Sequence, residues 1–236
     1  MSNTTQLGLP LLQPAQAQKH VTVNAALARL DGLVNLTLVS RSLSTPPAVV
    51  IDGAVYGVAA GAVNEWAGQD GRIAIGSNGG WDFAVPRRGW RAVILDEGTV
   101  AIHDGGDWRK GMLSLSQHNA GLSVHVAETD HTVTAGAVST TGALIPANAV
   151  VIGVTARVVA ALTGTLSSWA LGNPGAPGRY GTGIGTAVAS FAKGMLGQPT
   201  AFYTPTALQL DAEGGVFAGG VVRIAVHYME ISVPDL

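Results

Sequence analysis

The 236-residue chain contains no cysteine, and only 12% of its residues are charged. The absence of cysteine excludes disulfides, thiolate metal sites and cysteine nucleophiles. A formal net charge of -2 provides no broad positive field for phosphates, so we expect no nucleic-acid partner. No apolar run reaches the roughly 18 residues of a membrane span, and the amino terminus lacks the basic and apolar regions of a signal peptide. We expect neither feature.

Recognisable catalytic motifs are also missing. GxSxG, HExxH and P-loop patterns do not occur, and GTGIGT at 181–186 lacks the strand-to-helix context of a dinucleotide-binding motif. His125 and His131 flank a predicted turn, but two imidazoles without a nearby carboxylate are more typical of strand ends than of a metal site. We predict no enzyme activity, no cofactor and no metal, with calcium at Asp104 and Asp107 as an alternative.

The chain is rich in apolar residues (47%) and contains 32 glycines and 11 prolines. Apolar and β-branched runs between glycine-rich turns predict many short strands. We predict a mainly β protein with a short amino-terminal helix, a small antiparallel β module rich in glycine and tryptophan, and a carboxy-terminal β-sandwich of jelly-roll type. The predicted boundaries are 1–47 for an apolar segment and the helix, 48–110 for the small module, 111–121 for a linker, and 122–236 for the sandwich.

The segment VTVNAALARLDGLVNL has apolar residues at helical spacing. This stripe comprises Val23, Leu27, Leu30 and Val34. Thr22 or Asn24 is expected to cap the helix. Because so short a helix is not stable alone, it either covers its own β domain or packs between identical subunits. The additional leucines at 9, 11 and 12 favour a homo-oligomer, with the stripe as its interface.

The small module contains a near repeat, since GRIAIGSNGGW at 71–81 returns as GTVAIHDGGDW at 98–108. The turns SNGG and HDGG are typical of tight hairpins, which glycine favours through its access to positive φ. Trp81 and Trp108 follow these turns at equivalent positions. We predict that they mainly hold the sheets together, with stacking under a sugar as the alternative.

The glycine-rich segment 171–194 predicts a long surface loop with one short strand. Aromatic and cationic residues in or beside such loops suit polysaccharide binding, because rings stack on sugars and guanidinium groups bind carboxylates or hydroxyls. The predicted carbohydrate-binding residues are Trp169, Arg179, Tyr180 and Tyr203. The alternative is that they pin the loops to the domain.

Three blocks carry a resemblance to known proteins. They are LGLPLLQPAQAQKHVTVNAALARLDGLV, WAGQDGRIAIGSNGGWDFAVPRRGWRAVILDEGTVAIHDGGDWRKG and GQPTAFYTPTALQLDAEGGVFAGGVVRIAVHY. Together they resemble an uncharacterised family of alphaproteobacterial prophage and gene transfer agent proteins. The resemblance implies a virion protein similar to a head spike or fibre, assembled in the bacterial cytoplasm and displayed on the particle surface. Its implied partners are other virion proteins and host capsular polysaccharide. A trimer is preferred, and a pentamer is expected if the protein occupies a capsid vertex.

A second hypothesis is a capsule-degrading glycosidase on the virion. Such an enzyme needs two carboxyl groups that converge across the scissile bond. The candidate acids are Asp96, Glu97, Asp211 and Glu213. Because Asp96 and Glu97 are sequence neighbours beside a turn, they are not expected to converge, and we favour a non-enzymatic binding protein.

Overall fold

The computed structural model describes residues 3–13 and 19–236, and the chain divides into two compact units, Met1–Met112 and Leu113–Leu236. Residues 14–18 of the predicted apolar segment lie outside the described residues. The predicted fold class is confirmed, because a short amino-terminal helix is followed by several mainly antiparallel sheets.

In residues 3–13 and 19–112, the amino-terminal unit has one helix, a 3-10 turn at Asn64–Trp66 and seven short strands. They are α1 (Lys19–Leu33), β1 (Thr37–Leu38), β2 (Val55–Gly57), β3 (Ile73–Ser77), β4 (Gly80–Ala84), β5 (Arg91–Ile94), β6 (Thr99–His103) and β7 (Trp108–Lys110). One sheet has the order β1-β5-β6-β7 and the other β2-β3-β4. Only the β1–β5 pair is parallel among the pairs described in this unit.

The two hairpin turns follow from their sequences. Asn78 and Gly79 connect β3 to β4 with φ values of 52° and 73°. Two successive left-handed residues are the backbone of a turn that matches the twist of the paired strands, and Asn-Gly adopts it at little cost. The HDGG turn connects β6 to β7, as predicted.

Small apolar clusters form the core of the amino-terminal unit. Trp108 belongs to a cluster that also contains Leu38, Ile73, Ile75 and Ile94. A second cluster surrounds Trp66, whose ring centroid lies 5.2 Å from that of Trp81 and 5.6 Å from that of Tyr56. Trp81 and Trp108 therefore both pack against the sheets, in agreement with a structural role.

The carboxy-terminal unit contains longer strands, and β8 begins at the boundary residue Met112. The strands are β8 (Met112–Leu115), β9 (Gly121–Thr132), β10 (Val138–Ile145), β11 (Ala149–Gly164), β12 (Ser168–Asn173), β13 (Ala176–Ile184), β14 (Phe191–Phe202), β15 (Thr206–Glu213) and β16 (Phe217–Ser232). They form a five-stranded sheet, β14-β11-β16-β9-β8, and a four-stranded sheet, β10-β15-β12-β13.

The distribution of β9 to β16 between these two sheets is that of a jelly roll. The first and last of the eight strands are neighbours in one sheet, and the second and seventh are neighbours in the other. A single apolar cluster draws on both sheets and includes Trp169, Leu208, Leu210, Phe217 and Ile224. The predicted carboxy-terminal sandwich is therefore present, with its core between the sheets.

The prediction of a long surface loop over 171–194 is wrong. This segment contains the end of β12, all of β13 and the start of β14. A Cβ on Gly194 would lie 2.2 Å from the carbonyl oxygen of Tyr180, and one on Gly172 would lie 2.3 Å from that of Ala176. At these two positions glycine is needed because the backbones of neighbouring strands approach closely.

Two further predictions need correction. Met112–Leu115, within the predicted linker 111–121, form β8 at the edge of the five-stranded sheet. Thr22 and Asn24 lie inside α1 and do not cap it. Asn24 instead exchanges two hydrogen bonds with the backbone of Leu12, at 2.9 and 3.0 Å, because its side chain points towards the preceding segment.

Candidate functional site

Two of the four residues predicted to bind carbohydrate are buried. Trp169 is 0% exposed and its Nε1 donates a hydrogen bond to the carbonyl oxygen of Gly185 at 3.0 Å. Tyr180 is 2% exposed and belongs to the same core cluster. Both rings fill the space between the two sheets, so neither can stack on a sugar. The prediction is wrong for these two residues.

The other two predicted residues lie at the surface. The guanidinium carbon of Arg179 is 5.9 Å from the centroid of the Phe202 ring. The next residue, Tyr203, is 80% exposed. Arg179 therefore lies beside Phe202, which ends β14 one residue before Tyr203, and carbohydrate binding by Arg179 and Tyr203 stays a prediction.

The predicted oligomer stripe of α1 is largely uncovered within the described chain. Val23 is 41% exposed and Leu30 is 49% exposed; Val34 is also exposed and Leu27 is partly buried. The helix packs on its own unit through a different face, where a Cβ on Gly32 would lie 2.8 Å from Ile75. The helix thus covers its own domain while most of the apolar stripe stays exposed.

Asp31 anchors the amino-terminal segment to α1. Its buried carboxylate accepts hydrogen bonds from the Thr4 hydroxyl at 2.7 Å and from the amides of Gln6 and Leu7 at 2.9 and 2.6 Å. Burial by itself would raise the pKa of Asp31, but these donors together hold the pKa below its usual value. The Asp31 carboxylate therefore has a structural role, since its hydrogen bonds hold the amino-terminal segment against α1.

The HDGGD turn is organised by Asp104, whose side chain is also buried. Its Oδ1 accepts from the amides of Gly106 and Asp107 at 2.8 and 2.7 Å, and its Oδ2 accepts from Arg109. Burial opposes ionisation, but the amides and Arg109 outweigh it and lower the pKa of Asp104 to about 2. Nowhere in the described ranges do three His, Asp or Glu side chains group as a metal site. The calcium alternative gains no support.

Three of the four acids of the glycosidase hypothesis accept hydrogen bonds, Asp211 from the side-chain amide of Gln209 at 2.7 Å. Glu97 forms a two-point ion pair with Arg41, at 2.6 and 3.1 Å. Glu213 accepts a hydrogen bond from the Ser168 hydroxyl at 2.5 Å and one from the Gly183 amide at 2.9 Å. Both carboxylates hold neighbouring strands or loops in place, and the glycosidase hypothesis stays untested.

An open groove lies on the outer face of the five-stranded sheet, where sequence analysis predicted no site. It has a volume of about 480 Å³. Its lining comprises Glu128, Thr155, Ala156, Arg157, Phe191, Ala192, Lys193, Arg223 and Ala225. Four strands supply these residues, β9, β11, β14 and β16, so the groove exists only after strands distant in sequence have paired.

Strand register places the groove side chains in two adjacent rows. Arg157 is paired with Phe191 on one side and with Arg223 on the other, and Thr155 is paired with Lys193. Phe191 is 64% exposed, and the guanidinium carbon of Arg157 lies 5.9 Å from its ring centroid. This distance allows a cation–π contact, which leaves the ring and the cation side by side at the surface.

The cations of the groove differ in their partners. Arg223 forms a two-point ion pair with Asp130, both contacts at 2.7 Å. In the part of the chain that the structure describes, Arg157 and Lys193 form no ion pair. Glu128 also lines the groove. Three cations therefore face two carboxylates, and two of the cations remain available to a ligand.

A second groove of about 430 Å³ adjoins the first and shares Thr155 and Lys193 with it. Its lining is more apolar and includes Ile152, Met195 and Pro199. The alternation of Phe191, Lys193 and Met195 along β14 is the local sequence signal for this face. That signal alone does not say which strands lie beside β14.

Comparisons with known proteins give a family match and a weak structural similarity. Residues 23–109 match a family described as "Protein of unknown function (DUF2793)". No curated protein matches. A chain of the solved "Cyanophage Pam1 capsid asymmetric unit" is 24% identical, with 47% of this chain and 86% of that chain covered at a TM-score of 0.31. The chain is thus weakly similar to a phage capsid component, and at this TM-score the similarity establishes neither a shared fold nor a shared function.

Among the described residues, no helix is both long and apolar enough to cross a membrane.

Proposed function

We propose that the protein is a structural, receptor-binding component of a phage-like or gene transfer agent particle, as a head spike or fibre on the particle surface. In this proposal it assembles in the bacterial cytoplasm as a homo-oligomer, contacts other virion proteins and binds host capsular polysaccharide. The observation that carries the binding role is the open groove of the jelly roll, with an exposed ring beside Arg157 and Lys193, which form no ion pair with any described residue.

The jelly roll supports this proposal only by analogy. The same architecture occurs in viral capsid and lectin domains, but one fold serves many functions. The groove is more specific, because sugar recognition commonly combines an apolar ring face with charged or polar side chains. The 64% exposure of Phe191 leaves its ring accessible to a ligand.

The uncovered stripe on α1 supports assembly between copies. Apolar side chains at helical spacing gain free energy when another surface removes them from water. An oligomer would also present several grooves at once, and linked weak contacts can exceed the affinity of one contact by about 100-fold or more. A trimer is preferred, and a pentamer is expected at a capsid vertex.

Binding can be tested with the purified full-length chain on a glycan array and in pull-downs with extracted capsular polysaccharide. We expect retention on at least one polysaccharide and competition by the same polymer in solution. Heat-unfolded protein is the control for non-specific adhesion. A lack of binding to every polysaccharide at micromolar protein would exclude the receptor role and leave the structural role standing.

Assembly can be tested by light scattering on the variant Leu30→Asp. A charge at the centre of the stripe cannot be buried in an apolar contact without a large desolvation cost, so we expect the oligomer to dissociate. Thr22→Asp is the matched control, since residue 22 is exposed on α1 but lies outside the stripe. A monomeric wild-type protein, or equal oligomer mass for both variants, would contradict the proposed interface.

A further inference from the structure

The proposed function does not specify the kind of sugar, but the groove chemistry does. We propose that the groove formed by β9, β11, β14 and β16 selects a carboxylated saccharide, such as a uronate residue within an acidic polysaccharide. This inference rests on the proposed binding function. The carboxylate contacts Arg157 and Lys193, and an apolar face of the sugar ring lies on Phe191.

The positions of the two cations suit a single carboxylate. Arg157 on β11 is paired with Phe191, and Lys193 follows two residues later on β14, on the same face. Such diagonal neighbours in an antiparallel pair have Cα atoms about 7–8 Å apart, which long side chains can bridge. Guanidinium offers a two-point hydrogen bond to a carboxylate, and the ammonium group adds a third donor.

The charge balance of the groove favours an acid over a neutral ligand. Arg223 is already compensated by Asp130, whereas Arg157 and Lys193 have no carboxylate partner among the residues described. The groove is therefore locally positive in a chain whose formal net charge is -2. So small an excess suits an isolated carboxylate better than a dense row of phosphates, because nucleic acids require many neutralising contacts.

The ring and the cations also have different roles in recognising the sugar. Phe191 supplies an apolar surface that any sugar can contact, so it contributes affinity without selecting charge. Arg157 and Lys193 distinguish an acid from its neutral analogue. Glu128 lines the same groove and repels an incoming carboxylate, so its removal is expected to strengthen binding.

The direct test compares full-length protein on acidic polymers and on the same polymers after chemical reduction of their carboxyl groups. Polygalacturonate, hyaluronate and alginate are the probes, supplemented by any capsular polysaccharide that the protein retains. We expect binding to at least one acidic polymer, with an affinity about tenfold lower after reduction. Added salt is expected to weaken binding to the acidic form more than to the reduced form.

Groove variants then locate the selectivity. Arg157→Gln and Lys193→Gln should each weaken binding to the acidic polymer by about tenfold and leave binding to the reduced polymer nearly unchanged. Glu128→Gln should change affinity in the opposite direction, so a general loss of folding cannot imitate the pattern. Arg91→Gln, an exposed site on β5, is the matched control and should have no effect. Circular dichroism and thermal unfolding check that each variant is folded.

The outcomes separate this inference from the proposed function. Equal affinity for acidic and reduced polymers, or unaltered binding by the Gln variants, overturns the acidic-sugar site while receptor binding stands. No binding to any polymer overturns both this inference and the receptor role, and leaves the structural role standing. If the groove variants instead change the oligomer mass and leave polysaccharide binding intact, the face is a contact between copies of the chain, which also overturns the inference.

Discussion

The amino-terminal unit and the jelly roll are stabilised in different ways. Strands β1 to β7 contain 2 to 5 residues each, and their buried apolar side chains form two small clusters. Strands β11 and β16 contain 16 residues each and contribute to one large cluster. The smaller unit also relies on buried carboxylates at turns and segment ends, as Asp31 and Asp104 show.

This difference follows from how much apolar area each architecture can cover. Short strands end after a few residues, so many of their backbone groups lie in turns and need side-chain partners. Two stacked sheets with long strands instead satisfy their backbones within ladders and bury apolar faces between them. We therefore expect core truncation to cost most in the jelly roll and charge removal to cost most in the amino-terminal unit.

The largest expected effect is that of Trp169→Ala. Removal of a fully buried indole leaves a cavity and should lower the free energy of unfolding of the jelly roll by about 3–5 kcal/mol. Hydrogen exchange of the full chain in increasing urea, followed peptide by peptide, measures this loss separately from the amino-terminal unit. Tyr203→Ala should change stability by less than about 0.5 kcal/mol, because this ring is largely exposed. Comparable losses in both variants would contradict the assigned burial.

Asp104→Asn should have the largest effect in the amino-terminal unit, about 2 kcal/mol at neutral pH. The amide side chain keeps the shape of the carboxylate but loses its charge towards Arg109 and the turn amides. The cost should appear in hydrogen exchange of residues 99–110 while the jelly roll is unaffected. Asp107→Asn is the control, since residue 107 is exposed on the same turn.

The same variant predicts a pH dependence. The pKa of Asp104 is lowered in the folded protein from 3.8 to about 2, so the unfolded chain takes up a proton first as the solution is acidified. Its contribution is essentially complete above about pH 5 and is lost as the pH falls through about 2. The stability difference between wild type and Asp104→Asn should therefore shrink over this interval. Burial also lowers the pKa of His103, and the charge of Asp104 opposes that effect, so Asp104→Asn should lower the pKa of His103 further. A difference that stays constant down to pH 2 would contradict the assignment.

The smallest expected effect is that of Trp81→Phe, about 1 kcal/mol. The indole Nε1 donates to Glu65 at 3.0 Å on a partly exposed surface, and phenylalanine retains much of the ring contact with Tyr56 and Trp66. Urea unfolding of Trp81→Phe, Glu65→Ala and the double variant measures the coupling. If the hydrogen bond carries the effect, the double variant should lose less than the sum of the single losses.

Local sequence patterns were sufficient for most of the amino-terminal strands. Asn78 and Gly79 specify their hairpin through backbone conformation alone, and adjacent strands in a hairpin need no distant information. The composition of 171–194 predicts a loop because glycine is common in turns. In the structure, glycine also allows the close packing of β13 against β14, and composition does not distinguish these two roles. The prediction that Asn24 caps α1 is wrong because the side chain of Asn24 forms its hydrogen bonds with Leu12, which lies in a different segment of the chain.

The candidate sites show the same difference between features that local sequence predicts and features that depend on contacts between distant segments. Exposure of the α1 stripe could not be predicted, because helical spacing identifies an apolar face without showing whether another part of the chain covers it. Trp169 and Tyr180 were assigned to the surface from their glycine-rich neighbours, although large rings are also what a sandwich core requires. The groove at Arg157 and Phe191 was missed because it depends on the register between β11 and β14.

By itself, the amino-acid sequence determined the mainly β class, the short helix, the tight hairpins and the absence of thiol chemistry, since each depends on composition or on neighbouring residues. The tertiary structure decided which aromatic rings are buried, which face of α1 is uncovered and which charges share a groove. Alternation along a strand defines two faces locally. Only pairing and stacking of strands far apart in the chain determine which of those faces meets water.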